Sequence, residues 1–131
     1  MARDVVIPKG MEGLYKDLHF APAVRDGDRL FCSGQLGTGA DGKLCDDPEE
    51  QFAQAFENLK GILEEAGGNF DDVVELTTFH VGFRKHIGTF MAVKDRYIAE
   101  PYPAWTAIGI GELAFGALVE IKAVASLPKG C

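Results

Sequence analysis

One amphipathic helix with clear ends is the sequence feature that most restricts the fold of this chain. Asp47 and Pro48 are typical of the cap and first residue of a helix, and the pair Gly67-Gly68 is typical of a helix end. Between them, apolar residues recur at steps of three and four: Phe52, Ala55, Phe56, Leu59, Ile62, Leu63 and Ala66. This stripe predicts a helix with one buried face, which needs another layer of structure to pack against.

Strands are predicted on both sides of this helix. "HFAPAV" and "RLFCSGQL" are typical of strands joined by the turn "RDGD", because Asp-Gly favours a hairpin, and "DDVVELTTFHVGF" is rich in β-branched and aromatic residues. A second helix is predicted from about His86 to Ala99, with Phe90, Val93 and Tyr97 on one side. "AWTAIGI" and "ALVEIKAVASL" follow as strands, whereas "VIPKGMEGLYKDL" is predicted to form turns.

The resulting order, β-β-α-β-α-β-β, predicts an α+β fold in one domain over residues 1–131. Both helices are expected to pack on one face of a mixed sheet, and 131 residues suit a single core. No further helix is predicted for the other face, so copies of the chain are expected to cover it in a homo-oligomer. Binding pockets often form between such subunits.

Charge and hydropathy narrow the expected partners. The net charge is −7 and the basic residues are scattered along the chain, which disfavours binding to nucleic acid. No segment approaches the roughly 18 apolar residues of a membrane helix, and "MARDVVIPKG" lacks the apolar stretch of a secretory signal. A cytoplasmic protein with no nucleic-acid partner and no membrane partner is therefore expected.

The cysteines and histidines do not form a recognisable metal or disulfide pattern. Three cysteines without a C-x-x-C pair disfavour a disulfide framework and a zinc site; Cys32 is interpreted as a small core residue and Cys131 as a free thiol. His19, His80 and His86 lack metal-ligand spacing, and His80 is more typical of a core or interface residue. There is no P-loop, dinucleotide fingerprint or nucleophile elbow, so no metal or cofactor is predicted.

Four segments together resemble a known family. They are "LFCSGQLG" (30–37), "QFAQAFENLKGILEEAGGNFDDVVELTTF" (51–79), "PYPAWTAIGIGELA" (101–114) and "LVEIKAVASLP" (118–128). In their order and spacing the chain resembles the reactive intermediate deaminase family, also called RidA or YjgF and once labelled L-PSP endoribonucleases or translation inhibitors. Through "GLY", "TTFH" and "YPAWTAIG" it is most similar to the YjgH-like branch, which lacks the substrate-binding arginine.

The resemblance implies both a fold and a reaction. It implies a chorismate-mutase-like homotrimer with a central barrel and a cleft at each subunit interface. In the archetypal members this cleft hydrolyses imines formed from unstable enamines such as 2-aminoacrylate, releasing ammonia and a keto acid. An arginine binds the substrate carboxylate, a glutamate positions water, and a tyrosine and the backbone of the S-G-Q loop complete the site.

The resemblance also assigns candidate site residues, with one departure. Glu120 matches the glutamate and is the predicted catalytic residue. The residues predicted to bind substrate are Tyr15, Ser33, Gly34, Gln35, Phe90, Lys94, Trp105 and Ala107. Of these, Trp105 stands where the family has its arginine, Ala107 stands where it has a cysteine, and Lys94 aligns with a helix asparagine that lines the cleft.

The loss of the arginine changes the expected substrate. A guanidinium binds a carboxylate at two points, whereas an indole offers a flat apolar wall and one N–H donor. An aromatic or extended ligand that stacks on Trp105 is therefore expected, and Lys94 would restore a cation if its ammonium reaches the cleft. Without the resemblance, Trp105 is interpreted as a core or interface residue and Glu120 as an exposed residue paired with Lys122. Lys94 is then a solvated residue of its helix.

Three functions follow from these observations. The first is hydrolysis of an imine or enamine in clefts between subunits, with a specificity altered by Trp105. The second is non-catalytic binding of a small metabolite, which the loss of the arginine supports. The third is the endoribonuclease or translation-inhibitor activity of the older family label, which the net charge of −7 disfavours.

Overall fold

The helix that limits the fold runs from Pro48 to Glu65 in the computed structural model, which describes residues 3–128. The Asp47 carboxylate caps it by accepting a hydrogen bond from the N–H of Glu50 at 3.1 Å. Gly67, with a φ of 88°, ends it, and the next N–H donates to the Leu63 carbonyl at 2.8 Å. Cys131, predicted to carry a free thiol, lies outside the described residues.

The strands form a six-stranded mixed sheet, so the predicted α+β fold is confirmed. In chain order the elements are β1 (Asp4–Val6), α1 (Glu12–Leu18), β2 (Ala23–Asp26), β3 (Arg29–Gln35), α2 (Pro48–Glu65), β4 (Val73–His80), α3 (Phe83–Tyr97), β5 (Ala104–Gly109) and β6 (Val119–Ser126). The strand order across the sheet is β1-β2-β3-β6-β4-β5. Only β4 and β5 pair in parallel. None of the helices in residues 3–128 has the length and apolar character needed to cross a membrane.

Two elements near the start of the chain replace predicted turns. β1 and α1 are missing from the predicted order, and α1 forms where Leu14 and Leu18 stand four residues apart. The predicted strand over 19–24 begins only at Ala23, because His19 ends α1 in the left-handed conformation, with a φ of 61°. The second predicted helix begins at Phe83 rather than at about His86.

The core lies between α2, α3 and one face of the sheet. Alternate residues of the central strands point to the helices and are buried: Leu30, Cys32, Leu76, Val119, Ile121, Ala123 and Ala125. Burial raises the pKa of the Cys32 thiol to about 12, and the interpretation of Cys32 as a core residue is confirmed. On the opposite face, Phe31 and Ile108 remain exposed. The sheet therefore has a helix-covered face and an open face.

Candidate functional site

Strand register sorts the predicted site residues onto the two faces of the sheet. Trp105 pairs with Leu76 across β5 and β4, whereas Glu120 pairs with Phe79 across β6 and β4. Successive side chains of a strand point to opposite faces, and Leu76 is buried under the helices. Trp105 therefore lies on the helix-covered face and Glu120 on the open face. We call Gly34, Gln35 and Glu120 the carboxylate cluster, and Phe90, Lys94 and Trp105 the indole cluster.

In the carboxylate cluster, Glu120 lies directly against the backbone of β3. The pairing of β3 with β6 shifts register between Cys32 and Gln35, which places Gly34 in an irregular stretch of the strand. A β-carbon built on Gly34 would lie 2.5 Å from a carboxylate oxygen of Glu120. The glutamate occupies space that a larger residue at position 34 would need, so the glycine sets the position of the carboxylate.

Hydrogen bonds hold the loop around Gly34. The Ser33 hydroxyl donates to the carbonyl of Ala21 at 2.6 Å. The Gln35 side-chain amide donates to the carbonyl of Ser33 at 3.3 Å. Because its hydroxyl proton is used in this way, the Ser33 side chain stabilises the conformation of this stretch of chain, while Gly34 and the buried Gln35 line a cavity.

Glu120 lies in the wall of a cavity of about 480 Å³. Its apolar lining comes from α1, from the segment after α1, from the residue after β3 and from the loop before β6: Leu14, Leu18, Phe20, Leu36, Ala114 and Phe115. The polar lining is Gly34, Gln35, Thr38, Gly42 and Glu120, so Glu120 is the one charged residue of the lining. A cavity of this size with one carboxylate among apolar walls is typical of a small-molecule site.

No salt bridge within residues 3–128 joins Glu120 to Lys122. The interpretation of Glu120 as one member of a surface ion pair is therefore wrong, and its carboxylate is free to accept hydrogen bonds from a ligand or a water.

In the indole cluster, hydrogen bonds and a cation fix the Trp105 ring. The indole N–H donates to the hydroxyl oxygen of Thr78 at 2.9 Å, and the same oxygen lies 2.7 Å from Nε2 of His80. The ammonium nitrogen of Lys94 lies 4.6 Å from the centre of the indole ring, within the range of a cation–π interaction. Phe90 borders the same ring, with centroids 6.2 Å apart. The indole is therefore held in one orientation.

Lys94 is unusually buried for a lysine on a helix surface. The residue is 9% exposed, so the interpretation of Lys94 as a solvated helix residue is wrong. Its salt bridge is to Asp95, at 4.0 Å, and that carboxylate is largely exposed. The ammonium thus lies between the indole ring on one side and the carboxylate of Asp95 on the other.

His80 is a core histidine, as the sequence indicates. It is 1% exposed, and its Nδ1 atom has no hydrogen-bond partner within residues 3–128. Burial lowers the pKa of its imidazole, because the charged ring would lose its hydration. Residues 3–128 contain no group of three or more His, Cys, Asp or Glu side chains placed to hold a metal ion.

Tyr15 and Ala107 lie outside the two clusters, and Phe90 is the core residue of the indole cluster. Tyr15 is exposed on α1 and does not line the cavity, although its neighbours Leu14 and Leu18 do. Phe90 is fully buried and packs on the rings of other core residues. Ala107 pairs with Thr78 across β5 and β4 and shares the face of Trp105.

Sequence reasoning missed some of the residues that shape the two clusters. Thr78, Phe115 and the leucines of α1 were not predicted as site residues. The spacing of Leu14 and Leu18 is the signal that could have identified the helix and the wall that it forms.

Comparison with known proteins adds a family to this geometry. A model of the family described as endoribonuclease L-PSP matches residues 14–127. The RutC family protein YjgH of Escherichia coli (strain K12) is 41% identical over 128 residues, which cover 97% of each chain. A 2-iminobutanoate/2-iminopropanoate deaminase of Dermatophagoides farinae is 30% identical over 110 residues, or 80% of this chain and 83% of that protein. A solved structure of protein YjgH gives a TM-score of 0.91 at 40% identity, covering 99% of this chain and all of that one.

Proposed function

The chain belongs to the endoribonuclease L-PSP family, also called RidA, YjgF or RutC, and from that premise we propose that it hydrolyses imines to carbonyl compounds and ammonia. The observation that carries the proposal is the position of Glu120, whose carboxylate lies against Gly34 in the wall of an apolar cavity. A relative that is 30% identical is a 2-iminobutanoate/2-iminopropanoate deaminase, which supplies the reaction class.

Glu120 is suited to activate water in this reaction. Its carboxylate accepts a proton from a bound water as the water oxygen adds to the imine carbon, and it returns that proton to the nitrogen. Glu120 then takes the remaining hydroxyl proton and passes it to the nitrogen, so the carbon–nitrogen bond breaks, ammonia leaves and the carbonyl forms. One water is consumed for each imine, and no electrons are gained or lost, so neither an oxidant nor a reductant is required.

We propose that the complete site lies between two subunits of a homotrimer. Glu120 and Trp105 lie on opposite faces of one sheet, so a site that contains both clusters needs two copies of the chain. The exposed apolar residues of the open face, Phe31 and Ile108, support an assembly that covers this face. We propose the cytoplasm as the location of this assembly, with a small metabolite as its ligand.

In this proposal, Lys94 takes over the binding of the substrate carboxylate. Trp105 stands at the position of the family arginine and offers no two-point contact to a carboxylate. The ammonium of Lys94, 4.6 Å from the centre of that indole, is the buried cation of the indole cluster. A lysine binds as a point charge rather than as a planar fork, so the geometry required of the ligand is less strict.

Non-catalytic binding of a small metabolite is the second candidate function. The observation that favours it is Trp105 itself, because the family's two-point carboxylate contact is lost while the cavity beside Glu120 remains. No observation favours an endoribonuclease activity, and a net charge of −7 disfavours the binding of RNA.

The test is hydrolysis of 2-iminopropanoate generated in the assay from L-alanine by an L-amino-acid oxidase. Ammonia release above the spontaneous rate is measured for the wild type, for Glu120→Gln and for Glu64→Gln, an exposed carboxylate of α2. We expect Glu120→Gln to lower the enzymatic rate by about 100-fold or more, as loss of a general base does, and Glu64→Gln to match the wild type. A Glu120→Gln protein with the full rate would exclude the glutamate as the base. A wild type that hydrolyses no imine would favour the binding function.

A further inference from the structure

The cavity beside Glu120 is larger than a small imino acid requires. Its volume of about 480 Å³ equals that of roughly 16 water molecules at about 30 Å³ each. By comparison, 2-iminopropanoate has about six non-hydrogen atoms, and the imine derived from phenylalanine has about twelve. Resting on the proposed hydrolysis, we propose that the substrates of this protein are 2-imino acids with large apolar side chains, and that the cavity binds those side chains.

The chemistry of the walls supports this substrate class. Leu14 and Leu18 from α1, together with Phe20, form one apolar side of the cavity. Glu120 is the one charged residue in the lining, and it lies where a glycine leaves room for it. An apolar side chain therefore finds an apolar wall, while the imine carbon can remain beside the carboxylate.

Several of these apolar residues are not buried in the core of their own chain. Leu18 is 60% exposed and Phe115 is 83% exposed, and α1 contains no buried residue. Large apolar side chains that the core does not use, gathered around one cavity, are typical of a binding surface. A bound apolar group would remove part of this surface from water.

Phe115 is the specificity-determining residue of the cavity. Its backbone has a φ of 60° and a ψ of 17°, the left-handed region that is strained for any residue with a β-carbon. Because the ring is mostly exposed, its own burial does not offset that strain. The ring also borders a second cavity, of about 590 Å³, and so stands between the two. A glycine would adopt this backbone without strain, so the phenylalanine is best explained by what its ring contacts.

The experiment compares imines of different size on one protein. Imines are generated from L-alanine, L-leucine and L-phenylalanine by an L-amino-acid oxidase, and kcat/KM is determined from ammonia release above the spontaneous rate. For the wild type we expect kcat/KM to be at least about tenfold higher for the leucine and phenylalanine imines than for the alanine imine, as additional apolar contacts give.

Three variants test whether Phe115 determines specificity or only stabilises the fold. Phe115→Gly is expected to bring the three kcat/KM values close together, while its Tm stays near that of the wild type, because relief of the backbone strain offsets the added freedom of the unfolded chain. Leu14→Ala, at another residue of the lining, should also reduce the preference. Met91→Ala, an exposed apolar residue of α3 that lines neither cavity, should retain it.

The outcomes distinguish this inference from the proposed function. Equal kcat/KM values for the three imines in the wild type, or a preference for the alanine imine, would overturn the inference and leave imine hydrolysis intact. If no imine is hydrolysed, binding of pyruvate and phenylpyruvate is measured by calorimetry. Tighter binding of phenylpyruvate in the wild type but not in Phe115→Gly would support the cavity assignment while the hydrolysis proposal fails. Equal binding of the two acids would overturn both.

Discussion

Burial decides which individual side chains are available for chemistry. Cys32 has a thiol pKa of about 12 and stays protonated in the core, so it is not a nucleophile. Lys94 is buried to a similar extent, yet its ammonium faces an indole and an exposed carboxylate, and it remains a candidate for anion binding. From sequence alone Lys94 could be either a solvated residue or a ligand-binding one, because nothing in the spacing of α3 shows what covers it.

At the same scale, His80 gives the fold a predictable dependence on pH. Burial lowers the pKa of the folded imidazole, whereas the unfolded chain takes up a proton near pH 6.5. Below that pH the unfolded state binds more protons, so the free energy of unfolding should fall as the pH drops from about 6.5 toward the lowered pKa. Urea denaturation followed by circular dichroism between pH 5.5 and pH 7.5 checks this. His80→Gln should flatten the dependence, whereas His19→Asn, at an exposed histidine, should keep it. An unchanged slope in His80→Gln would contradict the assignment.

Among the elements, those with strong local signals could be predicted from the sequence. Asp47, Pro48 and Gly67 fix the ends of α2, and the structure confirms them. α1 escaped prediction because it is seven residues long and buries none of them, so glycines and a proline around it outweighed two spaced leucines. The irregular stretch of β3 at Gly34 also escaped prediction, because it depends on pairing with β6, which is far along the chain. Glu120 became a candidate through the family resemblance, since an isolated carboxylate in a strand has no local signature.

Two glycines in different elements give opposite predictions. Gly34→Ala would place a β-carbon 2.5 Å from a Glu120 oxygen and displace the carboxylate. A displacement of about 1 Å can lower a rate by about 100-fold, so we expect a loss of that order in imine hydrolysis. Gly61→Ala, within α2, meets nothing within 4 Å and should raise the free energy of unfolding by about 0.5–1 kcal/mol at an unchanged rate. A Gly34→Ala protein that keeps the full rate would show that the contact does not position Glu120.

In the whole molecule, the carboxylate cluster and the indole cluster lie on opposite faces of the sheet. No property of the individual segments predicts it, because it follows from the order of the strands and the register of β4 with β5 and β6. The two long helices, α2 and α3, cover one face, as expected from the element order, whereas the unpredicted α1 lies beside Glu120 of the other face. The opposite placement of Glu120 and Trp105 then makes the proposed site a property of the assembly rather than of one chain.

Mixing two variants of low activity tests whether the site combines residues of two subunits. If the site combines Glu120 of one subunit with Lys94 of another, Glu120→Gln and Lys94→Ala should each be weak in imine hydrolysis, and oligomers refolded from their mixture should recover part of the activity. The same variants refolded separately and then combined serve as the control. Light scattering should give a mass three times that of the 14.2 kDa chain. A folded mixture without recovery would place the complete site within one subunit.

The contacts of the Trp105 indole with Thr78 and Lys94 have a practical consequence. The chain contains one tryptophan, and its ring is held by Thr78 beneath the ammonium of Lys94. Indole fluorescence responds to nearby charge, so an anion that pairs with this ammonium should change the emission without any attached label. The protein thus carries an intrinsic optical probe beside its proposed carboxylate-binding residue, and candidate ligands can be screened by the light that this single ring emits.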